Sequence, residues 1–281
     1  MRSAKSVLSL LCFWLAACSS QNTSSIAKFE TAIIGGEAAL ESDLVTRSTV
    51  SLIADIGGMP VSVCTGVLIS RNLILTAAHC LVDFERMPVT VYFGATLPVT
   101  MQDPGFVGVA ESTFHNQYHR VKDGWGRYVT SLNDIGLIKL AEEVPAAAEP
   151  VAILDQGPEL QQGTQFLLAG FGIINELGKA QSATGLNKTR VPFVRREGSV
   201  LVADHSAGQG ACRGDSGGPA FLETSQGLML AAVTRGAHAG SPNCRNFGEY
   251  TSVSYHKQAI LELALQMGAE APQFKTVPSA D

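Results

Sequence analysis

The sequence predicts an all-β protein of sandwich or barrel type, and two observations carry that prediction. Short runs of Val, Ile, Leu and Phe recur along the chain with Gly, Pro, Asn and Asp between them, as many short strands joined by turns would require. Charged residues make up only 16% of the 281 while glycines number 28, a balance that leans towards a turn-rich β protein and away from a helical bundle.

The strand-like runs are Thr49 to Ala54, Val61 to Ile69, Leu73 to Thr76, Val89 to Phe93, Ile135 to Leu140, Gln165 to Ala169, Leu228 to Thr234 and Tyr250 to Val253. A hydrophobic content of 46% is enough to bury a sizeable core. One helix is predicted near the end, where Ile260, Leu263, Ala264 and Met267 recur at i, i+3, i+4 and i+7 and Gly268 stops the pattern. Residues 271–281 read as a loose tail. The formal net charge of −5 leaves no basic footprint, so nucleic acid is not an expected partner.

Residues 1–17 read as a targeting signal. Arg2 and Lys5 precede an apolar run, Val7 to Ala17, that is too short to span a bilayer comfortably. It ends in Leu15-Ala16-Ala17-Cys18-Ser19, which resembles the bacterial lipobox; the resemblance implies that Cys18 carries lipid and anchors the chain in a membrane outside the cytoplasm. The alternative is an ordinary cleaved secretory signal. Residues 18–32 are small and polar, and read as a tether or propeptide. Cys12 leaves with the signal and Cys18 takes lipid, so four of the six cysteines remain. An even number in an oxidising compartment implies two disulfides, and four cysteines allow three pairings.

Three segments carry the chemistry. They are Leu75-Thr76-Ala77-Ala78-His79-Cys80, Asn133-Asp134-Ile135-Gly136-Leu137, and Gly214-Asp215-Ser216-Gly217-Gly218-Pro219. Each alone has a bland reading as a structural histidine, a turn aspartate or a glycine-rich loop. Together, in the order His, Asp, Ser, they resemble the chymotrypsin/trypsin family of serine proteases, and the likeness runs from Ile33 to about Met267. The chemistry needs these groups: a serine hydroxyl is a poor nucleophile until a base within hydrogen-bond reach takes its proton, and histidine can take and return one near neutral pH.

The resemblance implies a protease domain over residues 33–270, built as two six-stranded antiparallel β-barrels with a short C-terminal helix. It implies Ser216 as nucleophile, His79 as general base, Asp134 as the group that orients His79, and the N–H groups of Gly214 and Ser216 as an oxyanion hole. It further implies disulfides Cys64–Cys80 and Cys212–Cys244, and that Thr234 supports Asp134 with its hydroxyl. Ile33-Ile34-Gly35-Gly36 resembles the family's mature N-terminus, whose new ammonium group would pair with Asp215 after cleavage. Ala32 stands where the family usually has Arg or Lys, so a trypsin-like activator is not expected. With no cysteine between Cys18 and Ile33, such a cut would release the domain from the membrane.

In the pocket for the residue before the scissile bond, Gly210 falls at the base and Gly236 and Gly248 on the walls. No charge stands there, so uncharged, medium or large apolar residues fit best. Arg213 and Arg235 lie near the rim, either as attractors of acidic substrate residues or as solvated surface charges. Val121 to Tyr128 reads as a surface insertion.

The implied function is a secreted or lipid-anchored serine endopeptidase acting as a monomer on proteins or peptides. No cofactor is needed, and no metal is expected at His115 and His119, which lie in a loop-like stretch without the following Glu of a metalloprotease motif. Two rival readings exist. Gly214 to Gly218 also fits an esterase nucleophile elbow, but that fold needs an acid and then a histidine after the serine, and the only later Asp is Asp281. A catalytically silent binding module on the same fold is the second; intact residues at all three key positions argue against it.

Overall fold

The strand-forming runs assemble into two curled antiparallel sheets in a computed structural model that describes residues 33–83, 88–126, 128–155, 159–176, 181–238, 241 and 243–277. The signal, Cys18, the tether and Ala32 lie outside the described residues.

The first sheet runs in the order Phe106–Val107, Val89–Tyr92, Thr49–Ile56, Met59–Ser70, Leu73–Thr76, Gly136–Leu140, Val109–Phe114. Its two edges are consecutive in the chain, separated only by Gly108, so the sheet curls into a nearly closed barrel. The second sheet contains a closed ring of six strands: Pro219–Thr224, Gln165–Gly170, Asn187–Glu197, Val200–Asp204, Phe247–Ser252 and Gly227–Ala237, with the first pairing back onto the last. The two-barrel architecture is therefore as the family resemblance implies.

Each barrel has its own apolar filling. Val50, Leu52, Leu68, Ile74, Val91 and Ile138 fill the first; Phe166, Leu168, Val191, Leu201, Tyr250 and Ile33 fill the second. A third cluster joins the barrels. It brings Val67, Leu75 and Leu137 of the first against Leu167, Phe221 and Val233 of the second, with Ile260, Leu263 and Ala264 of the C-terminal helix packed onto it. The helix, Lys257–Gln266, presents the apolar stripe that the sequence predicts, and Gly268 follows in left-handed conformation with φ of 57°.

Part of the expected loose tail is fastened. Phe274–Lys275 forms a short parallel strand against Ala152–Leu154, where the N–H of Ile153 donates to Gln273 O and that of Asp155 to Lys275 O. The apolar Phe274 packs on the cluster between the barrels, a contact that pattern reading of a polar tail does not reveal. Residues 278–281 lie outside the described residues. The stretch around residues 121–128 is a hairpin rather than a plain loop: His119–Lys122 pairs with Tyr128–Leu132, and Trp125 near its tip is 82% exposed. No helix among the described residues is long and apolar enough to cross a membrane.

Candidate functional site

His79 sits on a five-residue helix, Ala78–Val82, that follows directly from the strand Leu73–Thr76. Ala78, Cys80 and Leu81 are buried, while His79 and Val82 are partly exposed. The Cys64–Cys80 disulfide ties the helix to the strand Met59–Ser70, with Cα atoms 6.2 Å apart. Asp134 arrives from the segment just before Gly136–Leu140. A Cβ on Gly136 would stand 3.3 Å from Ala77 O and 2.7 Å from a Leu81 methyl, so only glycine lets the two segments lie this close. Asn133, in left-handed conformation with φ of 53°, makes the turn that aims Asp134 inward.

Asp134 is almost wholly buried, and three hydrogen bonds hold it. One carboxylate oxygen accepts from the His79 backbone N–H at 2.9 Å; the other faces His79 Nδ1 at 2.8 Å and accepts from the Ser131 hydroxyl at 2.8 Å. Burial alone pushes the carboxyl up, but the hydrogen bonds and charge of His79 with the Ser131 hydroxyl outweigh it, and the group stays below its usual range. Asp134 is thus a carboxylate near neutral pH. With Oδ2 as acceptor, the proton on Nδ1 is fixed and Nε2 is left as the basic nitrogen. The hydroxyl on Asp134 is that of Ser131, not of Thr234 as the resemblance implies.

Ser216 lies in the turn that leads into Pro219–Thr224. Its carbonyl accepts from Thr65 N–H at 2.8 Å, and the following Gly217 N–H donates to Thr234 O at 2.8 Å, so the turn is stitched to one strand of each barrel. The Cys80 sulfur stands 3.6 Å from Ser216 O; as part of a disulfide it has no hydrogen to donate, so this is packing contact. A Cβ on Gly217 would be 2.9 Å from Ala77 N, which places the His79 and Ser216 segments in direct contact. Gly214, with φ of 91°, holds its carbonyl against the Thr65 hydroxyl at 2.9 Å. Among the described residues, the N–H groups of Gly214 and Ser216 find no protein acceptor. Backbone N–H groups are seldom left without a partner, and these two belong to one turn beside His79.

Asp215 points the other way. It is fully buried and accepts from Gly172 N–H and Cys212 N–H, each at 2.8 Å. Burial without a cation pushes its carboxyl up to about 7 despite those two bonds. Ile33 is wholly buried in the second barrel, and Ile34 bridges to Gly210. Ile33 takes φ of 57°, an unusual angle for a β-branched residue.

Cys212 and Cys244 are joined, so both disulfides pair as the resemblance implies. Gly236 meets no atom within 4 Å of a hypothetical Cβ and borders a cavity of about 280 Å³ beside His79. Gly210 and Gly248 are different. A Cβ on either would collide with the ring of His205, which occupies the space between them. Arg213 is exposed at the mouth of the site with no side-chain partner among the described residues. Arg235 is neither a free attractor nor a solvated charge: it is 8% exposed, pairs with Glu249 at 3.3 Å, and donates to Thr130, to the Ser131 hydroxyl and to Ser131 O. Glu249 also receives His238 Nδ1 at 2.7 Å. Sequence reading misses Ser131, His205 and Glu249, because a lone Ser, His or Glu in a strand-rich chain carries no local signature of its partner.

The comparisons agree with this architecture. The family profile described as Trypsin matches residues 33–260. The chain is similar to Coagulation factor XI of Bos taurus, 25% identical over 252 residues, which covers 84% of this chain but only 38% of the bovine protein. It is similar to Trypsin Blo t 3 of Blomia tropicalis, 28% identical over 211 residues, covering 68% of this chain and 73% of that protein. A third relative is Chymotrypsin-2 of Vespa crabro, 28% identical over 189 residues, covering 62% and 79% respectively. A profile match over residues 33–260 of a chain folded as two barrels has one meaning: this chain belongs to the trypsin family.

Proposed function

We propose that the protein is a serine endopeptidase that cleaves peptide bonds through an acyl-enzyme. The observation that carries this is the pairing of Asp134 with His79 Nδ1 beside a turn whose Gly214 and Ser216 N–H groups find no protein acceptor among the described residues. In this reading Ser216 Oγ attacks the scissile carbonyl while His79 Nε2 takes its proton. The carbonyl oxygen becomes an oxyanion held by the two unpaired N–H groups, and loss of one such donor typically costs about 10²–10³ in rate. His79 then returns the proton to the leaving amine, and water repeats the sequence on the acyl group. Asp134 stabilises the imidazolium formed at each step.

The protein is made as a lipid-anchored precursor held outside the cytoplasm by Cys18, and cleavage before Ile33 frees the enzyme. Supporting this are the lipobox-like Leu15-Ala16-Ala17-Cys18 and the buried Asp215, which has no cation beside it among the described residues and would accept the new ammonium group of Ile33. Substrates are proteins or peptides with an uncharged residue before the scissile bond: the ring between Gly210 and Gly248 is the buried His205, and the charges nearest Gly236, Arg235 and Glu249, are paired with each other.

Intact-mass analysis after reaction with a fluorophosphonate that labels activated serines tests the reading, with Ser216→Ala as control. A label on a species that begins at Ile33, absent from the control, is the expected result. No label on any species, even one trimmed to Ile33, would return the chain to the silent binding-module reading.

A further inference from the structure

We propose that His205 is the specificity-determining floor of the substrate pocket, and that it restricts the residue before the scissile bond to short uncharged side chains such as Ala, Ser and Val. This rests on the protease reading above and narrows its substrate class.

The starting point is the glycine pair. Read as sequence, Gly210 suggests an uncharged pocket base and Gly248 an open wall. In the fold they are glycines because the imidazole of His205 fills the space that their side chains would take. A Cβ on Gly248 would be 2.5 Å from His205 Nε2, and one on Gly210 would be 2.6 Å from Cδ2. The ring is therefore clamped between the segment that leads into Cys212 and the strand Phe247–Ser252. Gly236, by contrast, faces open space; with the three glycines lining one pocket, as the family resemblance implies, that pocket is open at its entrance and filled at its base.

The ring is also immobilised. His205 follows the strand Val200–Asp204, its N–H donates to Asn246 O at 2.8 Å, and its carbonyl accepts from Gly208 at 2.9 Å. Nδ1 lies 3.0 Å from Cys244 O and Nε2 lies 2.8 Å from the Tyr250 hydroxyl. A carbonyl only accepts, so the proton sits on Nδ1. Burial holds His205 below its usual range, which makes the ring neutral at pH 7, so Nε2 accepts the Tyr250 O–H. Both ring nitrogens and the tyrosine proton are consumed. The floor thus offers no cation to an acidic side chain and no anion to Lys or Arg. What it offers is a fixed ring where a Phe or Leu side chain would have to reach.

The test uses the Ile33-starting enzyme, a peptide series that differs only in the residue before the scissile bond (Ala, Val, Leu, Phe, Glu, Arg), and fluorophosphonate labelling to count active sites. The wild type should show kcat/KM for Ala at least about 10-fold above that for Phe, since single methylenes in such pockets are worth about 10–200-fold. His205→Gly should raise Phe relative to Ala by a similar factor, and His205→Gln, of comparable bulk, should keep the wild-type order. A wild type that prefers Phe or Leu over Ala overturns the proposal even if neither variant folds. So does an unchanged Phe-to-Ala ratio in a labelled His205→Gly enzyme. Absence of labelling in the wild type is a separate outcome, which strikes the protease reading itself.

Discussion

Asp134 holds His79 at two points, with one carboxylate oxygen on the backbone N–H at 2.9 Å and the other on ring Nδ1 at 2.8 Å. The first bond sets where the helix carrying His79 lies, and the second sets the tautomer and tilt of its ring. Asp134→Asn keeps the shape but can present its NH₂ to Nδ1, which favours the wrong tautomer. We expect kcat to fall by about 10⁴ at neutral pH with little change in KM. Ser131→Ala removes only one of three bonds on the same carboxylate and should cost about 10-fold. Steady-state kinetics on a small peptide amide measure both, and equal losses in the two variants would contradict this ranking.

Asp215 makes the uncut chain sensitive to pH. Its carboxyl is pushed up to about 7 by burial, against 3.8 when free. Between those values the folded chain keeps a proton that the unfolded chain has lost, so the free energy of unfolding decreases as pH rises. The contribution is complete below 3.8 and is gone once pH passes about 7. Urea midpoints of the Ser216→Ala chain, which cannot process itself, should fall across this window. Adding Asp215→Asn should flatten the trend; parallel curves for the two proteins would count against a buried, unpaired carboxylate.

The buried pair Arg235–Glu249 should behave asymmetrically. Glu249→Leu leaves a guanidinium buried without its counter-charge and is expected to cost about 3–5 kcal/mol. Replacing both, as Arg235→Met with Glu249→Leu, should cost less than that single change. Chemical denaturation of the four species of the cycle reads this directly, and strictly additive losses would show that the two charges do not depend on each other.

Removing Cys64–Cys80, which closes a separation of 16 residues, should lower stability by about 3 kcal/mol in the chain-entropy estimate. Cys212–Cys244, across 32 residues, should cost about 4 kcal/mol. Only the second should also disturb substrate choice, because Cys244 O anchors the His205 ring. Thermal unfolding together with the peptide series separates the two effects.

The fold was legible in the sequence because strand runs such as Leu73 to Thr76 and Gln165 to Ala169 are apolar on every residue or nearly so, and because the helix shows its stripe at Ile260, Leu263 and Ala264. In the candidate site, what a sequence can show is a residue type bound to a motif, as with His79 and Asp134, which the fold brings within hydrogen-bond distance. The site was not legible where function depends on which distant side chain fills a given volume. Gly210 and Gly248 read as openings, and nothing local says that a histidine from another strand stands between them. Arg235 reads as a rim charge, attractor or solvated, for the same reason, since Glu249 reaches it from the neighbouring strand. The fastening of Phe274 escaped because two residues are too few to carry a period.

The backbone angle at Ile33 has a thermodynamic consequence for activation. An intact chain must hold φ of 57° there against the branched side chain, at a cost of about 1–3 kcal/mol. That angle is defined only by the bond to the preceding carbonyl carbon. Hydrolysis of the bond before Ile33 therefore does not relax the torsion so much as abolish it, because a free amine has no φ. Religation would have to recreate the strained geometry and discharge the new ammonium beside Asp215 in the same step. In the activation proposed above, the cut would work as a ratchet: chemistry at one bond would remove a conformational penalty and supply a counter-ion at once, and the folded domain would resist the return path on both counts.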